Sequence, residues 1–152
     1  MADALLVDRM FQRIMRGETP VIFGDGEQTR DFTYVENAVQ ANLLACEAPN
    51  VSGKVFNVGV GGRFSLNHTV TLLNNISGKK LEPKYEPARD GDIRDSQADI
   101  SQAREFLGYE PSVTFDEGLR RTFEWYRATQ EKAKAAPTAA STPASDPAPT
   151  KP

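Results

Sequence analysis

An α/β fold, in the form of a small lobe that leans on a larger neighbour, is predicted by three observations on this 152-residue sequence. Apolar residues switch repeatedly between a spacing of about 3.6 and a spacing of about 2, the mark of mixed helix and strand. The strand-like runs are few and short and the helical ones outnumber them, so a full doubly wound sheet cannot be assembled from this set alone. Every large apolar side chain lies before residue 131, which confines the core to the first part of the chain.

Each element has its own signal. Val7, Met10, Phe11, Ile14 and Met15 line one face of a first helix, with Asp8, Arg9, Gln12, Arg13 and Arg16 on the other, and Gly17 ends it. Val21-Ile22-Phe23 is a short strand closed by the turn Gly24-Asp25-Gly26; residues 31–35 allow a second extended piece, and a helix over 36–47 follows. Val55-Phe56-Asn57-Val58 reads as another short strand, stopped by Gly59 and Gly61-Gly62. Ser65 offers an N-cap to a helix bearing Leu66, Val70, Leu73 and Ile76 that ends at Gly78. After an extended stretch over 81–85 comes the loop Ala-Arg-Asp-Gly-Asp-Ile-Arg-Asp, 88–95. Ser101 caps a short helix that stops at Gly108. Thr114 and Glu117 make a capping box for a last helix carrying Phe115, Leu119, Phe123 and Tyr126.

From residue 131 onward the sequence holds five of the ten prolines and no aromatic, Leu, Ile, Val or Met. Nothing there offsets an ordering cost of about 1–2 kcal/mol per residue. The expected division is a folded lobe over 1–130 and a disordered Pro/Ala-rich tail over 131–152.

Composition narrows the function classes. Eighteen basic residues against twenty-one acidic ones, a net charge of −3, leave no positive field to draw in nucleic acid. One cysteine excludes an internal disulfide, and no run approaches the roughly 18 apolar residues that cross a bilayer. Asp3 and Asp8 interrupt the first apolar stretch and no basic leader precedes it, so it does not read as a signal peptide. A reduced, soluble, cytoplasmic protein with neither a nucleic-acid nor a membrane partner is expected.

Two motifs bear on chemistry. Gly59-Val60-Gly61-Gly62-Arg63-Phe64 resembles the opening of a dinucleotide-binding turn, but Phe64 stands where the third glycine belongs. It is read as a tight strand-to-helix loop with no cofactor assigned. In Phe-Gly-Asp-Gly-Glu-Gln-Thr-Arg-Asp-Phe, a two-glycine turn places Arg30 just beyond Phe23, and the planar arginine fork suits phosphate. A surface pairing of Arg30 with Asp25 or Asp31 is the plainer alternative. Arg89 presents a second guanidinium 59 residues later, where Gly91 permits a tight turn and Asp92 can accept from hydroxyl groups. Two such arginines can converge on one diphosphate, with Asp92 beside them for a sugar. His68 has no second His or Cys to share a metal and is read as structural or solvent-facing. Cys46 is read as a small core residue. Trp125 and Tyr126, beside Arg127, are read as packing residues that could alternatively stack on a base.

Residues 23–45, 55–66 and 88–126, in this order, resemble the C-terminal, substrate-binding half of NAD-dependent nucleotide-sugar epimerases and dehydratases. These are extended short-chain dehydrogenases, with UDP-galactose and UDP-N-acetylglucosamine 4-epimerases the nearest types, and the likeness runs over 6–126. The resemblance implies that Phe23 flanks the uracil ring and that Arg30, in its Arg-Asp-Phe motif, binds the nucleotide phosphates. It implies that Arg89 and Asp92, in Arg-x-Gly-Asp, are the second phosphate arginine and the carboxylate on the ribose hydroxyls.

Members of that family also carry a Rossmann half with a glycine-rich fingerprint and a Tyr-x-x-x-Lys pair. Here Tyr34, Tyr85, Tyr109 and Tyr126 are followed four residues on by Ala38, Arg89, Val113 and Gln130. No catalytic residue is therefore assigned, and NAD, the cofactor of the full-length family, is not expected to bind this chain alone. The expected function is the nucleotide-sugar-binding part of an NAD-dependent UDP-sugar 4-epimerase, inactive by itself, with a UDP-sugar as ligand and a separate Rossmann half or a second copy as partner. A truncated product, a start placed too late or a split enzyme would each give such a chain. The alternatives are part of a 4,6-dehydratase or decarboxylase, or a non-catalytic binding protein. The sequence Arg-Asp-Gly-Asp-Ile-Arg-Asp-Ser over 89–96, with Asp99-Ile100-Ser101 after it, resembles the epimerase loop more closely.

Overall fold

The computed structural model describes the backbone of residues 2–135 and the side chains of residues 8–132. The elements run α1 (Ala2–Arg16), β1 (Val21–Phe23), β2 (Thr29–Arg30), α2 (Val35–Glu47), β3 (Phe64–Ser65), α3 (Leu66–Ser77), β4 (Lys84–Glu86), α4 (Ser101–Leu107) and α5 (Phe115–Ala135). β1 pairs parallel with β4, setting Phe23 opposite Glu86, and β2 pairs antiparallel with β3, setting Arg30 opposite Phe64. Thr29 also forms a parallel bridge to Asp95. Among the described residues no helix is long and apolar enough to cross a membrane.

The helical periodicities translate into two cores. Met10, Phe11 and Ile14 of α1, Ile22 of β1, Leu66, Val70 and Leu73 of α3 and Phe115, Leu119 and Phe123 of α5 make the first. Ala41 of α2, Ile100, Ala103 and Leu107 around α4, and Tyr109 make the second, with Phe56, Val58 and Ala98 packed on it. Phe11, Ile14 and Leu73 are fully buried, so truncating any one to alanine would cost about 2–5 kcal/mol.

The helix ends follow backbone chemistry. At the end of α1, Gly17 takes φ +75°, its N–H donates to the Ile14 carbonyl, and the Glu18 N–H donates to that of Arg13, the paired bonds of a Schellman cap. Lys79 completes this end by donating its ammonium protons to the Ile14 and Met15 carbonyls at 2.5 and 2.8 Å, a cation at the negative pole of the helix. Ser65 caps α3 by accepting from the His68 N–H at 3.2 Å.

Several sequence expectations are corrected. Residues 55–58 form no strand: Val55 is 84% exposed, and Phe56 and Val58 turn onto the second core. The extended pair is Thr29–Arg30 rather than 31–35, because β3 offers its edge there. Ser101 is the first residue of α4 and not its cap: the N-cap is Ile100, and Asp99 before it accepts from the Ser101 N–H at 3.0 Å, a bond that holds the Asp99 carboxyl below its usual range. The capping box of α5 is half made. Thr114 accepts from the Glu117 N–H at 3.4 Å, but the Glu117 carboxylate turns to Arg120 and Arg121, which hold its pKa at about 2. Cys46 is exposed because the buried side of α2 is the one bearing Asn37 and Ala41. The helix α5 continues to Ala135, five residues past the expected boundary at 130, and 136–152 of the expected tail lie outside the described residues.

Tyr126 ties the last helix to the first. Its ring stacks on Phe11 at 5.5 Å and its hydroxyl donates to the Asp8 carboxylate. That bond, with burial and the charge of Asp8 adding to it, pushes the phenol pKa from 10.0 up to about 12. The folded state thus holds this proton more tightly than the unfolded chain. The bond's contribution is full below pH 10.0 and is lost as pH rises towards about 12. Tyr126→Phe should lower stability by about 1 kcal/mol at neutral pH. Urea unfolding of both proteins across this range should show the gap closing; a gap that persists at the top of the range would mean that the bond is not its source.

Candidate functional site

The turn after β1 is held from several sides. The Gly24 N–H donates to the Glu86 carbonyl at 2.9 Å, and the Asp25 carboxylate accepts from the Glu27 N–H at 2.9 Å. Gly26 has φ +78°, and a Cβ there would stand 2.0 Å from Asn67 Oδ1, so the position excludes any other residue. Asn67, in the first turn of α3, donates to the Asp25 carbonyl and the Glu27 carboxylate and accepts from the Tyr85 hydroxyl. Gln28 is buried and donates to the Phe23 carbonyl at 2.5 Å, while its Oε1 has no partner. Sequence patterning does not single out Gln28 or Asn67, because their partners are set by the shape of the folded turn.

Against this turn lies the 88–95 loop, and the four expected binding residues meet across the seam in two pairs. The Arg89 guanidinium stacks over the Phe23 ring, 3.7 Å from its centroid. Arg30, on β2, is 6% exposed; it donates from Nη2 to Asp92 Oδ1 and from Nη1 to the Thr29 carbonyl, each at 2.8 Å. The plainer expectation sets Arg30 in a surface pair with Asp25 or Asp31; the Arg30 found is buried and bonded to Asp92. Asp25 instead receives both bonds of Arg94, at 2.8 and 2.9 Å. Asp95 is bonded by Thr29 and by Arg63, each at 2.6 Å. Asp25 is held below the usual carboxylate range by the Glu27 N–H and then Arg94, and Asp95 by Thr29 and then Arg63. Guanidinium groups can bond phosphate oxygens, a carboxylate can accept from hydroxyls, and an aromatic ring can stack on a planar base.

Asp31 faces the other way. One of its carboxylate oxygens accepts from the Val60 N–H at 3.1 Å, and the other accepts from those of Gly61 at 3.1 Å and Ala98 at 3.2 Å. A Cβ at Gly59 would stand 2.6 Å from that carboxylate, so the loop can close on it only with glycine there. The Tyr109 hydroxyl, fully buried, donates to the Gly59 carbonyl at 2.9 Å, and burial followed by the charge of Asp31 raises its pKa. Asn37, also fully buried, donates to the Val113 carbonyl and accepts from its N–H, joining α2 to the approach to α5. The glycine loop therefore does cradle an anion, and the anion is the protein's own Asp31. Its donors do not fit a dinucleotide phosphate as well.

A cavity of about 660 Å³ opens beside Arg30, walled by Phe11, Tyr34, Phe115, Trp125 and Tyr126. Trp125 is 61% exposed, whereas Tyr126 is half-buried and packs against the first core. Val35, at the rim of the cavity, begins an exposed apolar stripe continued by Val39 and Leu43 at four-residue intervals along α2. His68 is exposed, stacked against Phe64, and among the described residues no cluster of His, Cys, Asp or Glu is arranged to hold a metal.

Residues 4–122 match the family described as GDP-mannose 4,6 dehydratase. The chain is 39% identical over 125 residues to a UDP-glucose 4-epimerase of Mycolicibacterium smegmatis, a match covering 82% of this chain and 40% of that protein. Among solved structures it is similar to the UDP-glucose 4-epimerase of Thermotoga maritima with UDP-glucose, at 44% identity and TM-score 0.73, covering 86% of this chain and 40% of that one. It is also similar to the UDP-glucuronic acid 4-epimerase of Bacillus cereus in complex with UDP-glucuronic acid and NAD, at 30% identity and TM-score 0.77, covering 82% and 40%. The chain thus spans about 40% of the length of the relatives it matches.

Asp31→Asn would turn an amide N–H₂ towards backbone N–H donors. It should lower stability by about 2–4 kcal/mol. Urea unfolding checks this, and a loss within scatter would mean that the loop closes without the carboxylate.

Proposed function

The chain belongs to the NAD-dependent nucleotide-sugar epimerase/dehydratase family, and we propose that it forms the part of a UDP-sugar 4-epimerase that grips the nucleotide. The observation that carries this reading is the seam between the turn and the 88–95 loop, where Phe23 meets Arg89 and Arg30 meets Asp92. In this reading the Phe23 ring flanks the uracil, the two guanidinium groups take the two phosphates, and Asp92 accepts from the ribose hydroxyls. The buried setting of Arg30 favours strong charge-assisted bonds, since its partners meet little competing water.

The family binds NAD, which supplies hydride chemistry when bound. The residues described here do not fit it, because Asp31 fills the only glycine loop that resembles a dinucleotide turn, and no step is derived through it. This chain's share is to bind and orient. The exposed Val35, Val39 and Leu43 stripe supports the companion reading that a dinucleotide-binding half packs on α2. A dehydratase is the second reading, favoured by the description of the family that residues 4–122 match. Product analysis on a full-length relative, looking for an inverted hydroxyl or a 4-keto-6-deoxy sugar, separates the two.

Calorimetry with UDP on this chain tests the grip. Arg30→Ala should weaken binding about ten- to a hundredfold, the equivalent of roughly 1.5–3 kcal/mol for a charged hydrogen bond. UDP affinity unchanged in that variant would take Arg30 out of the site.

A further inference from the structure

The groups proposed above to hold the nucleotide are already engaged by one another. Arg30 spends Nη2 on Asp92 and Nη1 on the Thr29 carbonyl, and its side chain is only 8% exposed. The Thr29 carbonyl is fixed, since Thr29 is paired with Ser65 and bridged to Asp95. The carboxylate is the partner that can leave. Asp92 accepts from Arg30 Nη2 through Oδ1 at 2.8 Å, and its own side chain is 34% exposed. Phe23 is engaged in parallel by Arg89, three residues earlier in the same loop.

The loop is tied down unevenly. Residues 94–96 are bound by backbone bonds, with the Thr29 N–H donating to the Arg94 carbonyl at 2.9 Å and the Ser96 N–H to the Thr29 carbonyl at 3.1 Å. Arg89 and Asp92 hold the turn through side chains, and between them Gly91 takes φ +78° with open space around it. The stretch 89–93, between the paired end of β4 at Glu86 and the bonded Arg94, can therefore lift while both of its ends stay in register.

We infer that the 88–95 loop stands in for the ligand, Asp92 filling the anion site of Arg30 until a phosphate takes its place, while Arg89 covers the Phe23 ring that the base would use. This rests on the reading of Arg30 as a phosphate residue. A diphosphate brings more charge than one carboxylate to the tine that Asp92 vacates, so it wins the exchange, but it does so against a tethered competitor. Asp92 then opposes capture of the phosphates in the resting chain, an effect opposite in sign to a purely binding role.

Inorganic pyrophosphate is the probe, because it lacks the ribose on which Asp92 is proposed to act. Calorimetry on the full chain at fixed salt should show Asp92→Asn binding pyrophosphate about tenfold or more tightly than the wild type, and Arg30→Ala losing binding. Equal or weaker binding by Asp92→Asn, with binding lost in Arg30→Ala, overturns the stand-in and leaves the nucleotide site intact. Arg30→Ala binding like the wild type, or no binding by either wild type or Asp92→Asn at millimolar pyrophosphate, overturns the site and the stand-in with it. Asp92→Ser repeats the test should the amide variant fail to fold. In the wild type, hydrogen exchange over residues 89–93 should quicken on adding pyrophosphate, and slower or unchanged exchange at saturation counts against the displacement.

Discussion

One carboxylate holds the two halves of this lobe in register. Asp31 accepts from three backbone N–H groups, two in the glycine loop at 60–61 and one at Ala98, on the approach to α4. Segments some 30 and 67 residues away thereby meet on one side chain. On one side of it lies the core of α1, α3 and α5, and on the other that of α2 and α4. Backbone N–H groups removed from water need an acceptor, and an ionised carboxylate is the strongest that a side chain provides. Gly59 leaves room for it, and Tyr109 and Asn37 secure the surrounding backbone.

The neighbours of Asp31 show how a three-residue motif serves three ends. Successive side chains of an extended segment point to opposite sides. Arg30 reaches Asp92 in the seam, Asp31 turns to the glycine loop, and Phe32 stacks on Phe115 at 5.3 Å, which itself stacks on Phe64 at 4.2 Å. Placement of the binding arginine is thus set by the same short stretch that joins the cores. A disturbance at Asp31 reaches the seam through one peptide unit, with no need for a distant relay.

Sequence made the helices legible, because an apolar face repeating every three or four residues matches the turn of a helix and not the alternation of a strand. Met10, Phe11 and Ile14, and Leu66, Val70 and Leu73, were assigned to the interior from spacing alone and lie there. Strands of two or three residues carry too little pattern for that. Thr29 and Arg30 pair because β3 comes alongside, whereas the more strand-like 55–58 meets no paired edge. In the site, Phe23, Arg30, Arg89 and Asp92 were legible as residue types, but their pairing was not. The bond between Arg30 and Asp92 spans 62 positions, and the stack of Arg89 on Phe23 depends on β1 and β4 lying parallel. Asn37, Gln28 and Tyr109 escape a reading by spacing because each bonds a main-chain group, and Asn67 because its partners come from a turn and a strand some 18 to 42 residues away. Only Asn37 gave a trace, as a polar residue on the same side of α2 as Ala41 and Leu44.

The misplaced cysteine has a practical side. Cys46 is the sole thiol of the sequence, and it projects to solvent from the last turn of α2, the helix that also carries the bare Val35, Val39 and Leu43. A spin label or fluorophore attached there would mark a single point on the molecule without any prior mutagenesis. Its mobility would report directly on whether something has come to rest against that helix.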